Sequence, residues 1–375
     1  MNEPSSSGTD CTLFLCGDVM TGRAVDQILP CPGRAQLFEP YVQSALDYVA
    51  LAEAISGPVA RPVDFEYIWG DALTELDALQ PDARIVNLET AITSADDHWP
   101  GKGIHYRMHP GNIGALTAAR IDCCVLANNH VLDWGYAGLK ETLEVLHRAG
   151  IATAGAGCNA TEAAEPAAIR LPGGDRLLIF AIAFEDAGVP AAWAARAAQP
   201  GVCVFAAPSP AVADHIGERV SAAKRPGDIV ILSVHWGPNW GYEIPLEHRT
   251  FAHRLIEQCG VDLIHGHSSH HPLGIEIHRG KLVLYGCGDF LNDYEGIEGY
   301  GQYRGDLTFM YFPTLEAGSG NLLRLALKPL QIRRFRVRRA RDADVAWLRQ
   351  TLSREVQEFG LVVEQAAQDT LVVRR

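Results

Sequence analysis

The sequence predicts an α/β protein whose sheets are covered by helices on both faces. Near-continuous apolar segments such as TLFLCGD (12–18) and DIVILSVHWG (228–237) are typical of buried parallel strands. They alternate with amphipathic segments such as GYAGLKETLEVLHRAG (135–150), in which leucines recur at helical spacing and a glycine ends the pattern. This alternation of strand and helix indicates an α/β fold with mainly parallel strands.

The other elements are predicted from apolar runs bounded by turn residues. The strands, in chain order, are ARIVNLET (83–90), the segment ending at LANNH (126–130), two strands around a Pro-Gly-Gly-Asp turn (167–186), VDLIHGH (261–267) and the hairpin GIEIHRGKLVLYGCGD (274–289). Helices are predicted at 71–79, 245–260 and about 342–359. Residues 1–11 are predicted to be disordered, residues 12–330 to form the main domain, and residues 331–375 to form a strand and helix extension packed on it.

Composition limits the classes of partner. The formal net charge of −13 disfavours nucleic acid or an anionic membrane as the main partner. The polar N-terminus lacks the apolar core of a signal peptide, and no apolar run reaches the roughly 18 residues of a membrane span. The nine cysteines contain no C-x-x-C pair and are interpreted as reduced core residues. Together these features predict a cytoplasmic protein.

Polar residues lie where the predicted strands end. In chain order they are Asp18, Glu89, Asn129, His130, His235, His267, His270 and Asp289. Because the ligand crevice of an open α/β sheet lies outside the carboxyl ends of its strands, we expect these residues to meet at one rim. Carboxylate, amide and imidazole groups suit Mn, Zn or Fe, and the oxygen-rich part suits Mg or Ca. The sequence therefore predicts one or two divalent metal ions and no organic cofactor.

Five motifs in a fixed order give the chain a family resemblance. They are GDVMTGR (17–23), NLET (87–90), NNHVLDWG (128–135), HWG (235–237) and GHSSHHPLGIEIHRGKLVLYGCGDF (266–290). Over roughly residues 12–293 the chain resembles the CapA-like proteins, the poly-γ-glutamate capsule synthesis branch of the calcineurin-like metallophosphoesterase superfamily. The resemblance implies a two-sheet α/β sandwich of the metallophosphoesterase type, formed by residues 12–330, with its metal site at the C-terminal ends of the strands.

The resemblance also implies roles for the motif residues. The implied metal ligands are Asp18, Glu89 in the bridging position, Asn129, His235, His267 and His270. His130 would be the acid/base, and Asp133 would orient its other ring nitrogen. Asp133 could equally be the N-cap of the helix that follows it.

The chain also departs from the family pattern. Met20 stands where related hydrolases have a metal-binding histidine, and Ser268 stands where relatives have another metal ligand. Asp289 adds a carboxylate where many relatives have asparagine. Asp289 is therefore predicted to be catalytic. Trp236, Trp240 and Arg23 flank the ligands and are predicted to bind substrate, although the tryptophans could be core residues.

These departures favour acid/base chemistry on a peptide over simple phosphoester hydrolysis. The favoured function is a metal-dependent, cofactor-independent peptide epimerase that inverts a Cα centre, as soluble CapA-like proteins of ribosomal and lasso-peptide pathways do. One alternative is metal-dependent hydrolysis of a phosphoester or of a γ-glutamyl amide. Another is a non-enzymatic role in poly-γ-glutamate assembly. The expected partner is a peptide, free or presented by another protein, with neither nucleic acid nor membrane.

Overall fold

The structure, a computed structural model, describes residues 9–366 and 369–375. The predicted disorder of the N-terminus falls mainly on residues 1–8, which lie outside the described residues, and the first strand already begins at Cys11. The strands up to residue 184 are β1 (Cys11–Val19), β2 (Ala83–Leu88), β3 (Ala91–Ile92), β4 (Arg107–Met108), β5 (Cys123–Val125), β6 (Ala152–Ala154), β7 (Ala156–Gly157), β8 (Ala167–Arg170) and β9 (Arg176–Phe184).

The strands after residue 200 and the helices complete the element order. The strands are β10 (Gly201–Val202), β11 (Val204–Phe205), β12 (Ile229–His235), β13 (Leu263–His267), β14 (Ile275–His278), β15 (Lys281–Leu284), β16 (Asp289–Leu291), β17 (Leu307–Leu315), β18 (Leu322–Arg333), β19 (Arg336–Arg339), β20 (Val362–Ala366) and β21 (Thr370–Arg374). The helices are α1 (Ala24–Ile28), α2 (Ala45–Ser56), α3 (Asp71–Leu79), α4 (Gly114–Ala118), α5 (Gly135–Arg148), α6 (Ala160–Ala164), α7 (Pro210–Ala223), α8 (Leu246–Gln258) and α9 (Asp342–Val356).

Two large sheets form the framework. The first runs in the order β20-β21-β18-β17-β1-β2-β5-β6, with β16 paired to β1 and β19 to β18. The second runs β11-β9-β12-β13-β15-β14, with β8 paired to β9. The sheets face each other, because His265 in β13 contacts the carbonyl oxygen of Cys16 in β1 through Nε2 at 2.7 Å. The predicted two-sheet α/β sandwich is confirmed.

Strand β9 shows why the apolar runs of this chain are continuous. Ile179 and Ala181 belong to the core between the sheets, whereas Phe180 and Ile182 belong to a second core on the opposite face. Successive side chains of a strand point to opposite faces, so a strand buried on both sides needs apolar residues at every position. Helices α7 and α8 cover that outer face, with Ile216 in the same outer core.

The C-terminal residues extend the first sheet. The predicted boundary between residues 330 and 331 falls inside β18, and both β19 and β21 pair with that strand. The helix predicted near 342–359 corresponds to α9 followed by a 3-10 turn at Gln357–Phe359. Among the described residues, no helix combines the length and the apolar character needed to cross a bilayer.

Strand register brings the polar strand ends together. Asp18 lies opposite Asn87 of β2 and opposite Asp289 of β16, both in parallel pairings. His235 and His267 are the last residues of the parallel neighbours β12 and β13 and lie opposite each other. Asp18, Asn87, His235 and His267 therefore lie at the carboxyl ends of their strands, whereas Asp289 is the first residue of β16.

Candidate metal centre

Two sets of potential metal ligands share Asp18. One set is Asp18, His235 and His267, and the other is Asp18, His270 and Asp289; in each, the potential ligand atoms lie within 4.8 Å of one another. All five side chains are buried. The structure thus brings four of the predicted metal ligands together and adds Asp289, which we predicted to be catalytic.

The histidines from the second sheet are close to the carboxylates from the first. His235 and His267 face each other through their Nδ1 atoms at 2.8 Å, and His267 Nδ1 lies 4.0 Å from Asp18 Oδ1. The other nitrogen of His267 contacts Ser233 Oγ at 2.8 Å, which fixes the ring. Burial lowers the pKa of both imidazoles, so each is neutral, the form that binds metal.

Two carboxyl groups of the site, Asp18 and Glu89, have raised pKa values. Burial and the neighbouring charge of Asp289 raise the pKa of Asp18 to about 7. Burial and the charge of Asp18 raise the pKa of Glu89 well above its usual range. Buried carboxylates with raised pKa values need a proton or a cation between them.

The donor set fits a divalent ion. Asp18 Oδ2 and Asn129 Oδ1 are buried atoms that have no hydrogen-bond partner among the described residues. A buried oxygen without a partner is destabilising, and a metal ion is one group that would satisfy it. Carboxylate and imidazole donors grouped in one buried place are a combination that Mn, Zn or Fe binds.

Glu89 lies beside the two ligand sets, and its role as a metal ligand stays a prediction. Its carboxylate lies 3.9 Å from His130 Nε2 and 4.0 Å from His235 Nδ1, and Asn87 Nδ2 donates to it at 3.0 Å. The residue common to both ligand sets is Asp18 rather than Glu89. The physical reason is register: β1 lies between β2 and β16, so its carboxylate is the central one.

His130 is held by a carboxylate, as expected. His130 Nδ1 contacts Asp133 Oδ2 at 2.6 Å, and the backbone N–H of Tyr106 donates to the same oxygen at 2.6 Å. Lys102 Nζ donates to Asp133 Oδ1 and to the carbonyl oxygen of Asn129, and lies 2.9 Å from His130 Nδ1. The side chain of Asp133 makes no capping hydrogen bond to α5. It orients His130 instead.

Both carboxylate oxygens of Asp289 have hydrogen-bond partners. Its Oδ1 contacts His270 Nδ1 at 2.8 Å, and its Oδ2 accepts from Asn292 Nδ2 at 2.8 Å. Asp289 thus orients His270 and belongs to a ligand set with it, and its catalytic role stays a prediction. His270 is itself held at its other nitrogen by Asn239 Nδ2 at 3.0 Å.

The structure separates the three predicted substrate contacts. Trp240 and Arg23 line a cavity of about 810 Å³ that reaches His270. Trp236 is absent from that lining and packs in the outer core, stacked on His248 at 4.7 Å. The expectation that Trp236 contacts substrate is corrected: the strand alternation that aims His235 at the rim turns the next side chain into the core.

Sequence patterns did not identify Lys102. This lysine lies between two glycines in an irregular loop, and no periodicity or motif points to it. Its side chain is mostly buried against Asp133, and that burial lowers its pKa. Asn87, the first residue of the NLET motif, donates from its amide to Asp18 Oδ1 at 2.8 Å as well as to Glu89.

Comparison with known proteins agrees with this geometry. A family model described as "Bacterial capsule synthesis protein PGA_cap" matches residues 12–294. The chain belongs to the PGA_cap family. The resemblance to CapA-like proteins is thereby confirmed, and the metallophosphoesterase-like fold of PGA_cap proteins agrees with the candidate metal-ligand groups.

Relatives of this PGA_cap chain have names that refer to polymer synthesis. A Mycobacterium tuberculosis protein named "probable polyglutamine synthesis accessory protein" is 47% identical over 353 residues, which cover 94% of this chain and 93% of the relative. The "PGA biosynthesis protein CapA" of Bacillus subtilis is 26% identical over 280 residues, covering 74% of this chain and 62% of that protein. The "capsule biosynthesis protein CapA" of Bacillus anthracis is 26% identical over 289 residues, covering 75% and 60%. These names favour our polymer-assembly alternative over peptide epimerisation.

Proposed function

We propose that this chain is a metal-dependent enzyme that assists the synthesis of a polymer of glutamyl or glutaminyl units by acting on an amide bond of that polymer. The observation that carries the proposal is the pair of ligand sets sharing Asp18 beside an 810 Å³ cavity that reaches His270. The polymer class comes from the PGA_cap relatives, whose names refer to polyglutamine and PGA synthesis. Because the units of such polymers are joined by amide bonds, hydrolysis of an amide is the reaction that fits.

His130 would take a proton from the attacking water and pass it to the amide nitrogen as the C–N bond breaks. Its Nδ1 is engaged by Asp133, which leaves Nε2 facing Glu89 Oε1 at 3.9 Å. Burial lowers the pKa of His130 to about 4, the charge of Lys102 lowers it too, and the charge of Asp133 opposes both. The ring is therefore neutral near pH 7 and able to accept a proton at Nε2.

The candidate ligands add the remaining chemistry. Divalent ions bound by the two Asp18 sets would polarise the amide carbonyl and favour ionisation of water. Asp133 and Lys102 would keep the ring of His130 in one orientation while the bond is cleaved. Trp240 and the cavity would hold the chain beside His270.

Amide hydrolysis is better supported than Cα inversion. Inversion requires a second acid/base on the face opposite the first. Asp289, the other carboxylate that we predicted to be catalytic, has both of its oxygens engaged by His270 and Asn292. Hydrolysis needs only His130 and the metal ligands.

The test uses metal-loaded protein and short oligomers of γ-linked glutamate or α-linked glutamine in D₂O. Mass and chiral amino-acid analysis should show shorter chains with new amino termini. Deuterium at a Cα without cleavage would mean that the protein epimerises its substrate rather than hydrolysing it. Unchanged oligomers would reject an enzymatic role and favour a non-catalytic assembly factor. Asp18→Asn is the inactive variant, and Asp47→Asn, an exposed aspartate on α2, is its matched control.

A further inference from the structure

A further group of potential metal ligands lies between a helix and the edge of the second sheet. It consists of His253 from α8 and of Glu276 and His278 from β14, and its potential ligand atoms lie within 4.8 Å of one another. None of the three belongs to the two sets that share Asp18. The proposed reaction does not use these residues, so a different role has to explain why they meet.

Strand and helix geometry bring the three side chains together. Glu276 and His278 are two residues apart on β14, so they point to the same face of the sheet. That face carries the outer core, because Val283, the cross-strand partner of Glu276, belongs to it. Helix α8 packs on the same core through Leu255, and His253 reaches Glu276 from this helix. The group therefore joins α8 to β14, the last strand of its sheet.

The group lies towards the opposite end of the sheet from the candidate metal centre. His278 lies opposite Lys281, the first residue of β15. Strand β15 runs parallel to β13, and Leu282 lies opposite Leu263, the first residue of β13. The candidate metal centre uses His267, the last residue of β13. The two places are therefore separate sites.

The distances within the group fit one ion shared by three ligands. His253 Nε2 lies 2.9 Å from Glu276 Oε1, and His278 Nδ1 lies 3.7 Å from the same oxygen. The two imidazole rings are stacked, with their centres 3.8 Å apart and an angle of 9° between their planes. Ligand atoms at about 2.0–2.1 Å from a tetrahedral zinc ion are roughly 3.3–3.4 Å apart. The two oxygen–nitrogen distances lie on either side of that value.

Two outer partners hold the ligands in orientations that suit a metal. Glu257 Oε1 accepts from His278 Nε2 at 2.8 Å, so in the neutral ring the lone pair is on Nδ1, the nitrogen nearer to Glu276. The hydroxyl of Tyr285 donates to Glu276 Oε2 at 2.8 Å. A metal-binding histidine usually donates its other ring nitrogen to a carboxylate or a carbonyl group. Glu257 and His253 are one turn apart on α8, so one helix supplies both a ligand and an outer partner.

We propose that His253, Glu276 and His278 bind a divalent transition-metal ion such as Zn²⁺, with water at the remaining position. Two imidazoles and one carboxylate are a known zinc ligand set, whereas Mg²⁺ and Ca²⁺ prefer a shell of oxygens. The bound ion would link the edge strand β14 to α8. The side chains of His253, His278 and Glu276 are 32%, 19% and 12% exposed, which gives the ion a path from the solvent.

Exposure also distinguishes this site from the buried candidate metal centre. An ion held by three partly exposed ligands exchanges with the solvent, so the site should empty when the protein is passed into metal-free buffer. The metal retained after purification then belongs to the sets that share Asp18. The site on α8 and β14 should fill when zinc is added back.

Calorimetric titration of the purified protein with ZnCl₂ tests the site. The wild type should take up about one equivalent more than the double variant His253→Gln/His278→Gln. The control variant His147→Gln/His215→Gln loses two exposed imidazoles that belong to no candidate ligand group among the described residues, and it should match the wild type. MgCl₂ should not distinguish these proteins. Equal zinc uptake by the wild type and the first double variant, or a magnesium difference as large as the zinc difference, would overturn the inference.

Two single variants distinguish a metal site from an ordinary hydrogen-bonded group. Glu276→Gln keeps the size of the side chain and an acceptor for Tyr285, but it removes the charge of the ligand. It should weaken zinc binding by more than about 10-fold, and Glu257→Gln should weaken it by about 10-fold, the loss typical of an outer partner. If Glu276 only accepts a hydrogen bond from His253, Glu276→Gln would change stability without changing zinc affinity, and that result would reject the site.

Thermal unfolding gives a second readout. Zinc should raise the unfolding midpoint of the wild type more than that of Glu276→Gln, because a ligand that binds only the folded state stabilises it. An equal gain would place all of the zinc at the sets that share Asp18 and would overturn the inference. Amide cleavage enters none of these measurements, so failure of the proposed function and failure of this inference are distinguishable.

Discussion

Asp18 lies opposite Asp289 in the parallel pairing of β1 and β16, and both side chains are buried. Two buried carboxylates on adjacent strands repel each other unless a proton or a cation lies near them. Together with His270 they form one ligand set, and Asp18 forms a second set with His235 and His267. The behaviour of the site with metal and with pH should therefore depend most strongly on Asp18.

Asp18→Asn should lose metal from both ligand sets, because an amide oxygen supplies no charge to bind a divalent ion tightly. We expect the metal content to fall from at least about one equivalent to below about a tenth. Asp289→Asn should keep more metal, because the set of Asp18, His235 and His267 remains intact. Elemental analysis of protein purified without chelator measures both, with Asp47→Asn as the control. Full metal content in Asp18→Asn would mean that Asp18 is not a metal ligand.

Metal affinity should rise with pH. Burial and Asp289 raise the pKa of Asp18 to about 7, so below that pH a proton competes with the metal for this carboxylate. The dissociation constant measured by calorimetry should therefore fall between about pH 6 and about pH 8.

The stability of the metal-free protein should have the opposite dependence. The folded pKa of Asp18 is above the unfolded value of roughly 3.9, so this group destabilises the fold progressively as pH rises from about 4 through about 7. In EDTA, the gain in the midpoint of thermal unfolding from Asp18→Asn should therefore grow over that range, and added metal should raise the wild-type midpoint most at the alkaline end. A metal-induced gain that is larger at acid pH would contradict this assignment.

Residues at strand ends were predictable because the sheet geometry alone brings them together. Asp18, His235 and His267 each end a continuous apolar run, and parallel strands place such ends on one edge. The same reasoning failed for Trp236, since one step along a strand turns the side chain to the other face. The partner of Arg23 was not predictable either, since Asp293 is 270 residues away in sequence.

The division of roles within the site was not predictable from sequence. Which carboxylate is shared by the ligand sets depends on the order of β2, β1 and β16 in the sheet, which periodicity does not reveal. Lys102 reaches Asp133 and His130 from an irregular loop, where no pattern constrains the side chain. Strand order and loop paths are tertiary properties, so sequence motifs identified the members of the site but not their contacts.

Gly17→Ala should destabilise the protein severely. A Cβ atom on Gly17 would lie 1.6 Å from the carbonyl oxygen of Gly288, which accepts a hydrogen bond from the Asp18 N–H at 2.9 Å. The strands carrying Asp18 and Asp289 would have to separate, at a cost of about 3 kcal/mol or more in the free energy of unfolding. Urea denaturation measures the loss. Gly103→Ala is the control, since its Cβ would meet no described atom within 4 Å. Equal stability of the two variants would contradict the close approach of Gly17 to Gly288.

His130→Ala should abolish amide cleavage and leave the metal in place. The ring contacts Asp133 at 2.6 Å and belongs to neither ligand set, so its removal should cost a proton acceptor and little metal affinity. Loss of a positioned acid/base lowers kcat by roughly 100-fold or more. The rate of new amino-terminus formation and the metal content are measured on the same preparation. His147→Ala, which removes an exposed imidazole on α5, should match the wild type in both. Normal turnover in His130→Ala would exclude His130 as the proton acceptor, and loss of metal in that variant would make it a ligand instead.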